Sequence, residues 1–469
     1  MVLAMISEPT FDAALLRRYD RPGPRYTSYP TAPQFQPGYG GKQRSAAARR
    51  SNQDPIPQPL SLYVHVPFCT SPCFYCGCNR IITRDQNRAA PYVARLLREA
   101  AMLAPQFDRD REVMQLHFGG GTPNFLTPAQ LAEVIDSLGQ QFNFSRSPQR
   151  DFSIELDPRH VDDDTIAALA RAGINRASLG VQDFDPQVQE AVNRIQPVAP
   201  TLAVIESCRR HGLRSINVDL IYGLPRQTPE GFARTLDIVI GARPDRLAVY
   251  SYAHMPQLFR PQQRIKAADL PSPEAKLALL ELAIAKLTAA GYRYIGMDHF
   301  ALPDDDLARA QERGDLHRNF MGYTTHADCD LIGLGVSAIS QVADSYCQSP
   351  RELPAWEAMI DAGRIPVWRG LDMDADDRLR AHVIQQLMCQ GEVSMAAVED
   401  RFGINFSDYF QPDLERLQAL VADDLVQIGP DLIRATARGR LLLRVLCACF
   451  DRYLHQAPPA APARFSSVV

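Results

Sequence analysis

The sequence contains no uninterrupted apolar run of the roughly 18 residues that a membrane span requires, which excludes a spanning helix. It has no surplus of positive charge: 50 Lys and Arg stand against 54 Asp and Glu, for a net charge of −4. That balance argues against a general nucleic-acid binder, which would carry a basic stripe. It has no apolar leader either, because residues 1–20 are interrupted by Glu8, Asp12, Arg17 and Arg18. A reducing cytoplasm is therefore expected. Finally, it lacks the two separated cysteine pairs that usually build a structural zinc site. Six of the ten cysteines (Cys208, Cys329, Cys347, Cys389, Cys447 and Cys449) are scattered, and only Cys447 and Cys449 lie near each other.

What is present is a dense cysteine cluster. Cys69, Cys73, Cys76 and Cys78 fall within ten residues, spaced C-x3-C-x2-C-x-C. Iron–sulfur clusters are normally held by four thiolates, so a set of three leaves one iron open to another ligand. A zinc site is the competing reading, and Cys78 is either a thiol beside the ligands or a small buried side chain. The x3/x2 spacing and the aromatic Tyr75 before the third cysteine resemble the radical S-adenosylmethionine (SAM) enzymes, in which SAM chelates the open iron.

The composition, 46% hydrophobic and 22% charged over 469 residues, suits a protein of two or three domains with a large core. Residues 1–40 combine Arg17, Arg18, Arg21 and Arg25 with Tyr19, Tyr26 and Tyr29. They read either as a solvated arm or as a lid whose guanidiniums meet carboxylates. Residues 41–57 read as a linker. From residue 60 a strand–helix rhythm begins, with strands expected at 62–66, 113–118, 151–156, 176–181, 215–221, 246–252 and 294–297. Helices are expected between most of them, at 92–103, 128–141, 162–172, 198–211, 229–241 and 273–290. Repeated βα units imply a parallel sheet with right-handed crossovers, here a partial or full (β/α) barrel in an α/β fold. Chemistry in such a barrel belongs at the C-terminal ends of strands. The cysteine loop, Gly119-Gly-Gly-Thr-Pro123, Glu155, Asp157, Gln182, Asp183, Asp219 and Ala253 all follow strands. A lone carboxylate there is as readily a helix cap, but several on one face are harder to dismiss.

After residue 345 the rhythm stops. Helices at 352–362, 374–389, 394–402 and 410–423, a hairpin at 425–435 and a last helix at 439–454 suggest a winged-helix-like module. Its mixed charges favour packing over the barrel mouth rather than DNA binding. The tail, 456–469, is expected to be loose. The resulting division is an arm and linker at 1–57, a barrel at 58–345 and a helical C-terminal domain at 346–469.

Nearly end to end, the sequence resembles the oxygen-independent coproporphyrinogen III oxidases. The resemblance is carried by Arg25-Tyr-Thr-Ser-Tyr-Pro-Thr31, Leu62-Tyr-Val-His-Val-Pro-Phe68, the cysteine loop and Leu116-His-Phe-Gly-Gly-Gly-Thr-Pro123. It continues in Ile154-Glu-Leu-Asp-Pro-Arg159, Leu179-Gly-Val-Gln-Asp-Phe184, Asn217-Val-Asp-Leu-Ile-Tyr-Gly-Leu-Pro225, Gly296-Met-Asp-His-Phe300, His317-Arg-Asn319 and Gly335-Val-Ser-Ala-Ile339. The resemblance implies a [4Fe–4S] cluster on Cys69, Cys73 and Cys76, with Cys78 needed for activity but not a ligand. It implies two SAM molecules. Tyr63, Gly120, Glu155 and Ile339 match contacts of the first. Tyr75, Gly121, Thr122, Gln182, Arg194, Asp219 and Ala253 match contacts of the second.

The implied reaction is oxidative decarboxylation of two propionates of coproporphyrinogen III to vinyls, giving protoporphyrinogen IX in haem synthesis. It needs a small-molecule porphyrinogen substrate, a low-potential electron donor and a terminal electron acceptor, with no nucleic-acid or membrane partner. A monomer is expected, since no unassigned apolar helix remains, and Arg21 or Arg25 is expected to meet the propionates. Three alternatives stand beside this reading: a haem-trafficking protein of the same lineage, a radical SAM enzyme with another substrate, and a zinc-bound regulator.

Overall fold

The computed structural model describes residues 8–327, 329–456 and 465–468. The chain divides into two compact units, and each is built of separate stretches of sequence. One contains residues 35–276 and 328–372; the other contains residues 1–34, 277–327 and 373–469. The division expected at 57/58 and 345/346 follows chain order, whereas packing joins both ends of the chain in one unit.

In the unit holding residues 35–276, parallel strands β1 (Leu60–Val66), β2 (Glu112–Gly120), β3 (Asp151–Leu156), β4 (Arg176–Gln182), β5 (Ser215–Tyr222) and β6 (Arg246–Ser251) lie side by side in sequence order. Strand β7 (Asp330–Leu334) pairs in parallel with β1 on its other edge. The fold is thus a partial (β/α) barrel. Antiparallel strands β8 (Ile339–Val342), β9 (Ser345–Gln348) and β10 (Arg369–Asp372) continue from β7.

The connecting helices start where the sequence provides caps. Thr127 caps Pro128–Gln141 in a capping box with Gln130, and Thr228 caps Pro229–Ala242. Proline at the first position of each helix lacks only an N–H that would have no helical partner. Alternation does the rest. In β3, Phe152, Ile154 and Leu156 are buried, while Ser153 and Glu155 point to the opposite face. On that face cross-strand register sets Tyr63 beside His117, His117 beside Ser153, Glu155 beside Ser178 and Ser178 beside Asn217. A band of polar side chains is therefore built into the sheet near the strand ends.

One strand expectation and the linker need correction. The segment expected as a barrel strand at 294–297 is Arg293–Gly296, an antiparallel hairpin with His299–Ala301 in the other unit. The turn between them is tight, with Met297 at φ 54°. The seventh parallel strand is instead β7, whose five residues are all buried. The supposed linker also differs: Gly41–Asn52 is a helix that buries Ala47 and Ala48 and ties its Arg44 to Ser340 at 3.1 Å.

The second unit holds the helices Ala375–Gln390, Met395–Phe402, Gln411–Ala422 and Leu443–Cys449. It also has a three-stranded sheet of Glu392–Ser394, Val426–Ile428 and Leu432–Ala435, a winged-helix-like arrangement. The N-terminal segment is not a solvated arm. Tyr26 and Tyr29 are buried in this unit's core. The Tyr26 hydroxyl donates to Asp451 at 3.1 Å, and that of Tyr29 accepts from the Arg452 N–H at 3.1 Å. Arg444 donates to the backbone carbonyl of Pro24 at 2.9 Å. Arg25 is ion-paired with Asp298. Of the tail expected to be loose, residues 457–464 and 469 lie outside the described residues. Ser467 bridges to Pro22, and the Val468 N–H donates to the Arg21 carbonyl at 3.0 Å.

Candidate functional site

The cysteine loop leaves the C-terminal end of β1 and is closed on itself. Phe68–Cys69 pairs with Ile81–Ile82, and the Thr83 N–H donates to the Cys69 carbonyl at 2.9 Å. Arg80 sits inside, its guanidinium donating to the carbonyls of Cys73 at 3.3 Å and Cys76 at 3.4 Å. The neighbouring Gly-rich turn after β2 comes close because it lacks side chains. A Cβ on Gly121 would lie 2.7 Å from the Pro67 carbonyl carbon and oxygen. Gly120 has φ +118°, a conformation that glycine alone adopts readily.

A cavity of about 260 Å³ opens between this loop and the strand ends. Of the residues singled out by sequence, Cys69, Cys73, Cys76, Cys78, Tyr75, Gly120, Gly121, Thr122, Glu155, Gln182, Arg194 and Asp219 all line it. Tyr63, Ala253 and Ile339 stand outside that wall. Tyr63 stacks on His117 with centroids 5.9 Å apart and shares a 3.0 Å hydrogen bond with His65. The Ala253 carbonyl accepts from Gln262 at 3.2 Å. Ile339 opens β8.

Every thiol of the trio has a donor at its sulfur. Thr122 donates to Cys69 Sγ at 3.3 Å, Arg194 to Cys73 Sγ at 3.6 Å and the Cys78 N–H to Cys76 Sγ at 3.4 Å. Cys78 itself is exposed, so it is a thiol beside Cys76 rather than a buried filler. A side-chain hydrogen bond from Cys78, with help from Arg80, holds the Cys76 thiol below its ordinary range, whereas burial pushes Cys69 up to about 11. Among the described residues, no three His, Cys, Asp or Glu side chains converge on a single-ion position. A cubane cluster asks for something else, thiolates that each reach a different iron. Three free thiols on one wall, each facing a donor, fit such a cluster.

Beside the thiols lies a charge network. Buried Arg194 donates to the Gly180 carbonyl at 2.5 Å and to both oxygens of Asp157, at 3.3 and 3.4 Å. Its Nε is buried with no partner, an unfilled donor at the cavity that would suit a ligand carboxylate. Burial alone would raise Asp157, but Arg159 and Arg194 outweigh it and hold the carboxyl at about 2. Glu155 likewise stays below the ordinary range, because His117 at 3.3 Å and the Gly120 N–H at 3.2 Å outweigh its desolvation and hold it ionised. Asp219 goes the other way, pushed up to about 6 by burial and then by Glu155. The cavity thus presents thiols, an arginine and carboxylates of different proton affinity.

Sequence reasoning did not single out Arg80, Arg159 or Ser178, which also line the cavity, nor His117 as the partner of Glu155. Arg159 had a signal, standing two residues beyond Asp157 after a strand end. Arg80 had none, because its role depends on how the loop closes.

The sequence profile described as the Radical SAM superfamily matches residues 63–239, and that of the HemN C-terminal domain matches residues 373–442. The chain is 52% identical over 468 residues to the oxygen-independent coproporphyrinogen III oxidase of Pseudomonas aeruginosa, covering 99% of this chain and 100% of that one. It is 46% identical over 464 residues to the Escherichia coli protein of the same name, covering 99% and 100%. A solved structure described as coproporphyrinogen III oxidase (HemN) from Escherichia coli, a radical SAM enzyme, superimposes with a TM-score of 0.90 at 46% identity. It covers 95% of this chain and 100% of that one.

Proposed function

The chain belongs to the oxygen-independent coproporphyrinogen III oxidases, and from that premise we propose that it converts coproporphyrinogen III to protoporphyrinogen IX in haem synthesis. The reaction oxidatively decarboxylates two propionates to vinyl groups. When bound, a [4Fe–4S] cluster with SAM supplies one-electron cleavage of SAM to methionine and a 5′-deoxyadenosyl radical, which takes a hydrogen from the propionate β-carbon.

The protein holds and orients these groups. Cys69, Cys73 and Cys76 would hold the cluster through their thiolates. Cys78 supports the Cys76 thiolate first through its side chain and then through its N–H, and would not itself be a ligand. The residues at the strand ends would hold two SAM molecules. The first would be held by Tyr63, Gly120, Glu155 and Ile339, with Glu155 kept ionised to accept from hydroxyls or an ammonium. The second would be held by Tyr75, Gly121, Thr122, Gln182, Arg194, Asp219 and Ala253. The open Nε of Arg194 takes its carboxylate, and Tyr75 offers a face for adenine. A low-potential donor and a terminal acceptor complete the electron balance. The protein acts as a cytoplasmic monomer, in keeping with ten free thiols.

The observation that carries this reading is the single cavity that joins the three thiols to Arg194, Glu155 and Asp219. An anaerobic assay of reconstituted protein with SAM, reductant and coproporphyrinogen III tests it. Protoporphyrinogen with about two methionines and two CO2 per molecule is expected, one radical event per propionate. SAM cleavage without decarboxylation would move the substrate elsewhere. Stoichiometric haem binding without turnover would replace the oxidase reading with that of a haem carrier.

A further inference from the structure

Resting on that reading, we propose that the outer side of the cysteine loop is the docking surface for the electron donor, and that the donor is a small acidic one-electron carrier protein. An open groove of about 430 Å³ lies there, lined by Pro72, Phe74, Asn193, Arg260, Gln263 and Arg264, with Pro261 between the arginines. Pro72 and Phe74 flank Cys73, whose side chain lines the active-site cavity. The groove and the thiols are therefore opposite sides of one short loop, and the electron has one layer of chain to cross.

The surface is fastened to that loop at several points. Gln262 donates to the Tyr75 carbonyl at 2.9 Å, and Asn193 donates to the Pro72 carbonyl at 2.7 Å. The Phe74 N–H donates to the Val192 carbonyl at 2.9 Å. The Arg264 guanidinium covers the Phe74 ring at 5.4 Å, and Phe259 packs so closely that a Cβ on Gly77 would lie 3.0 Å from it. A partner seated here rests on groups that are rigidly tied to the ligand loop.

The charge is one-sided. Residues 257–268 carry Arg260, Arg264 and Lys266 with no Asp or Glu, in a chain whose net charge is −4. All three are exposed and none forms an ion pair among the described residues. Two acids that flank the segment, Glu190 and Asp269, face Arg226 instead, at 3.9 and 3.4 Å. Exposed apolar side chains stand in the same stretches, Ile195 at 61% and Leu258 at 57%. Apolar contacts within unpaired like charge are the chemistry of a transient interface with a partner of opposite sign. The proposed reaction calls for that partner. For each SAM cleaved, the carrier is oxidised by one electron and the cluster is reduced by one. That electron goes into breaking the S–C5′ bond, and the substrate radical later yields CO2 and one electron to the separate acceptor.

The test uses the reconstituted holoenzyme with Arg260→Glu and Lys266→Glu together, neither of which touches the loop, and a second variant that adds Arg264→Glu. Reduced flavodoxin is the acidic carrier, dithionite is the small reductant, and binding of flavodoxin is measured by calorimetry at low and high salt. Wild type should bind flavodoxin more weakly as salt rises. Both variants should lose flavodoxin-supported turnover by roughly tenfold or more at low salt, with a matching loss of affinity. The dithionite-supported turnover and cluster absorbance of the Arg260→Glu, Lys266→Glu variant should match wild type. Unchanged affinity, or an equal loss under both reductants, would overturn the proposal. So would a single-stranded oligonucleotide binding at this patch while flavodoxin does not. Absence of turnover in wild type under dithionite would count against the oxidase reading, and the calorimetric arm would still decide the docking surface.

Discussion

Replacing Glu99 by Gln should favour the folded protein more at pH 8 than at pH 5, where the substitution is a net cost. Glu99 is fully buried on the helix Ala89–Leu103. Its Oε2 accepts from the Gly335 N–H at 2.7 Å and the Trp356 indole N–H at 3.2 Å, while its Oε1 has no partner. It matters to the site because Gly335 and Val336 begin the turn that leads to Ile339, and Tyr92 binds both the Val336 N–H at 3.3 Å and the His65 carbonyl at 2.6 Å. Burial raises Glu99 from an ordinary 4.5 to about 7, its two donors and Arg44 recovering only part. Below 4.5 both the folded and the unfolded chain hold the proton, and ionisation costs nothing. Between 4.5 and 7 the unfolded chain releases its proton first, so stability falls as pH rises. Above 7 the loss is complete, about 3 kcal/mol from that difference in proton affinity. Gln removes the pH-dependent cost. Its amide donor without a partner adds a cost of about 1–3 kcal/mol that is the same at both pH values. The informative quantity is thus the double difference, variant minus wild type, between pH 8 and pH 5, expected at about 2–3 kcal/mol in favour of Gln at the higher pH. Urea unfolding followed by tryptophan fluorescence measures it well. The chain's two tryptophans are Trp356 and Trp368, and both lie in the unit that contains Glu99. A double difference near zero, or a Gln variant relatively weaker at pH 8, would refute a proton-holding Glu99.

Cys76→Ser should lose most cluster iron and visible absorbance on anaerobic reconstitution, whereas Cys78→Ser should keep the iron and lose turnover. Equal iron loss in both would make Cys78 a ligand. Gly121→Ala drives a Cβ to 2.7 Å from the Pro67 backbone, so it should cost about 1–3 kcal/mol and displace the loop that carries Cys69. Turnover should fall on the order of a hundredfold, read by the anaerobic assay. Arg194→Met should weaken SAM binding by roughly tenfold or more in equilibrium dialysis while iron content stays at the wild-type value. SAM affinity should also decline as pH falls through about 6, where Asp219 takes up its proton, and Asp219→Asn should flatten that dependence.

The local signals in the sequence were strong because they are short-range. Alternating residues such as Phe152, Ser153, Ile154 and Glu155 must face opposite sides of a strand, and Thr127-Pro128 must begin a helix, whatever surrounds them. The C-x3-C-x2-C spacing likewise lies within one loop, so the cluster chemistry could be read from ten residues. The strand ends then told which side of the sheet would carry the remaining groups. What could not be read was anything settled by distant partners. Arg293–Gly296 looks as strand-like as β7, and only the turn at Met297 and the pairing with His299–Ala301 took it out of the parallel run. Gly41–Asn52 is small and basic enough to pass for a linker until Ala47 and Ala48 find something to pack against. The tyrosines of the N-terminal segment became core because Asp451 and Arg452, more than 400 residues away, meet their hydroxyls. In the site itself, the sequence supplied the cysteines and the carboxylates. Only the tertiary structure made Glu155 acidic and Asp219 reluctant to ionise, because proton affinity depends on which neighbours the fold brings to a buried group.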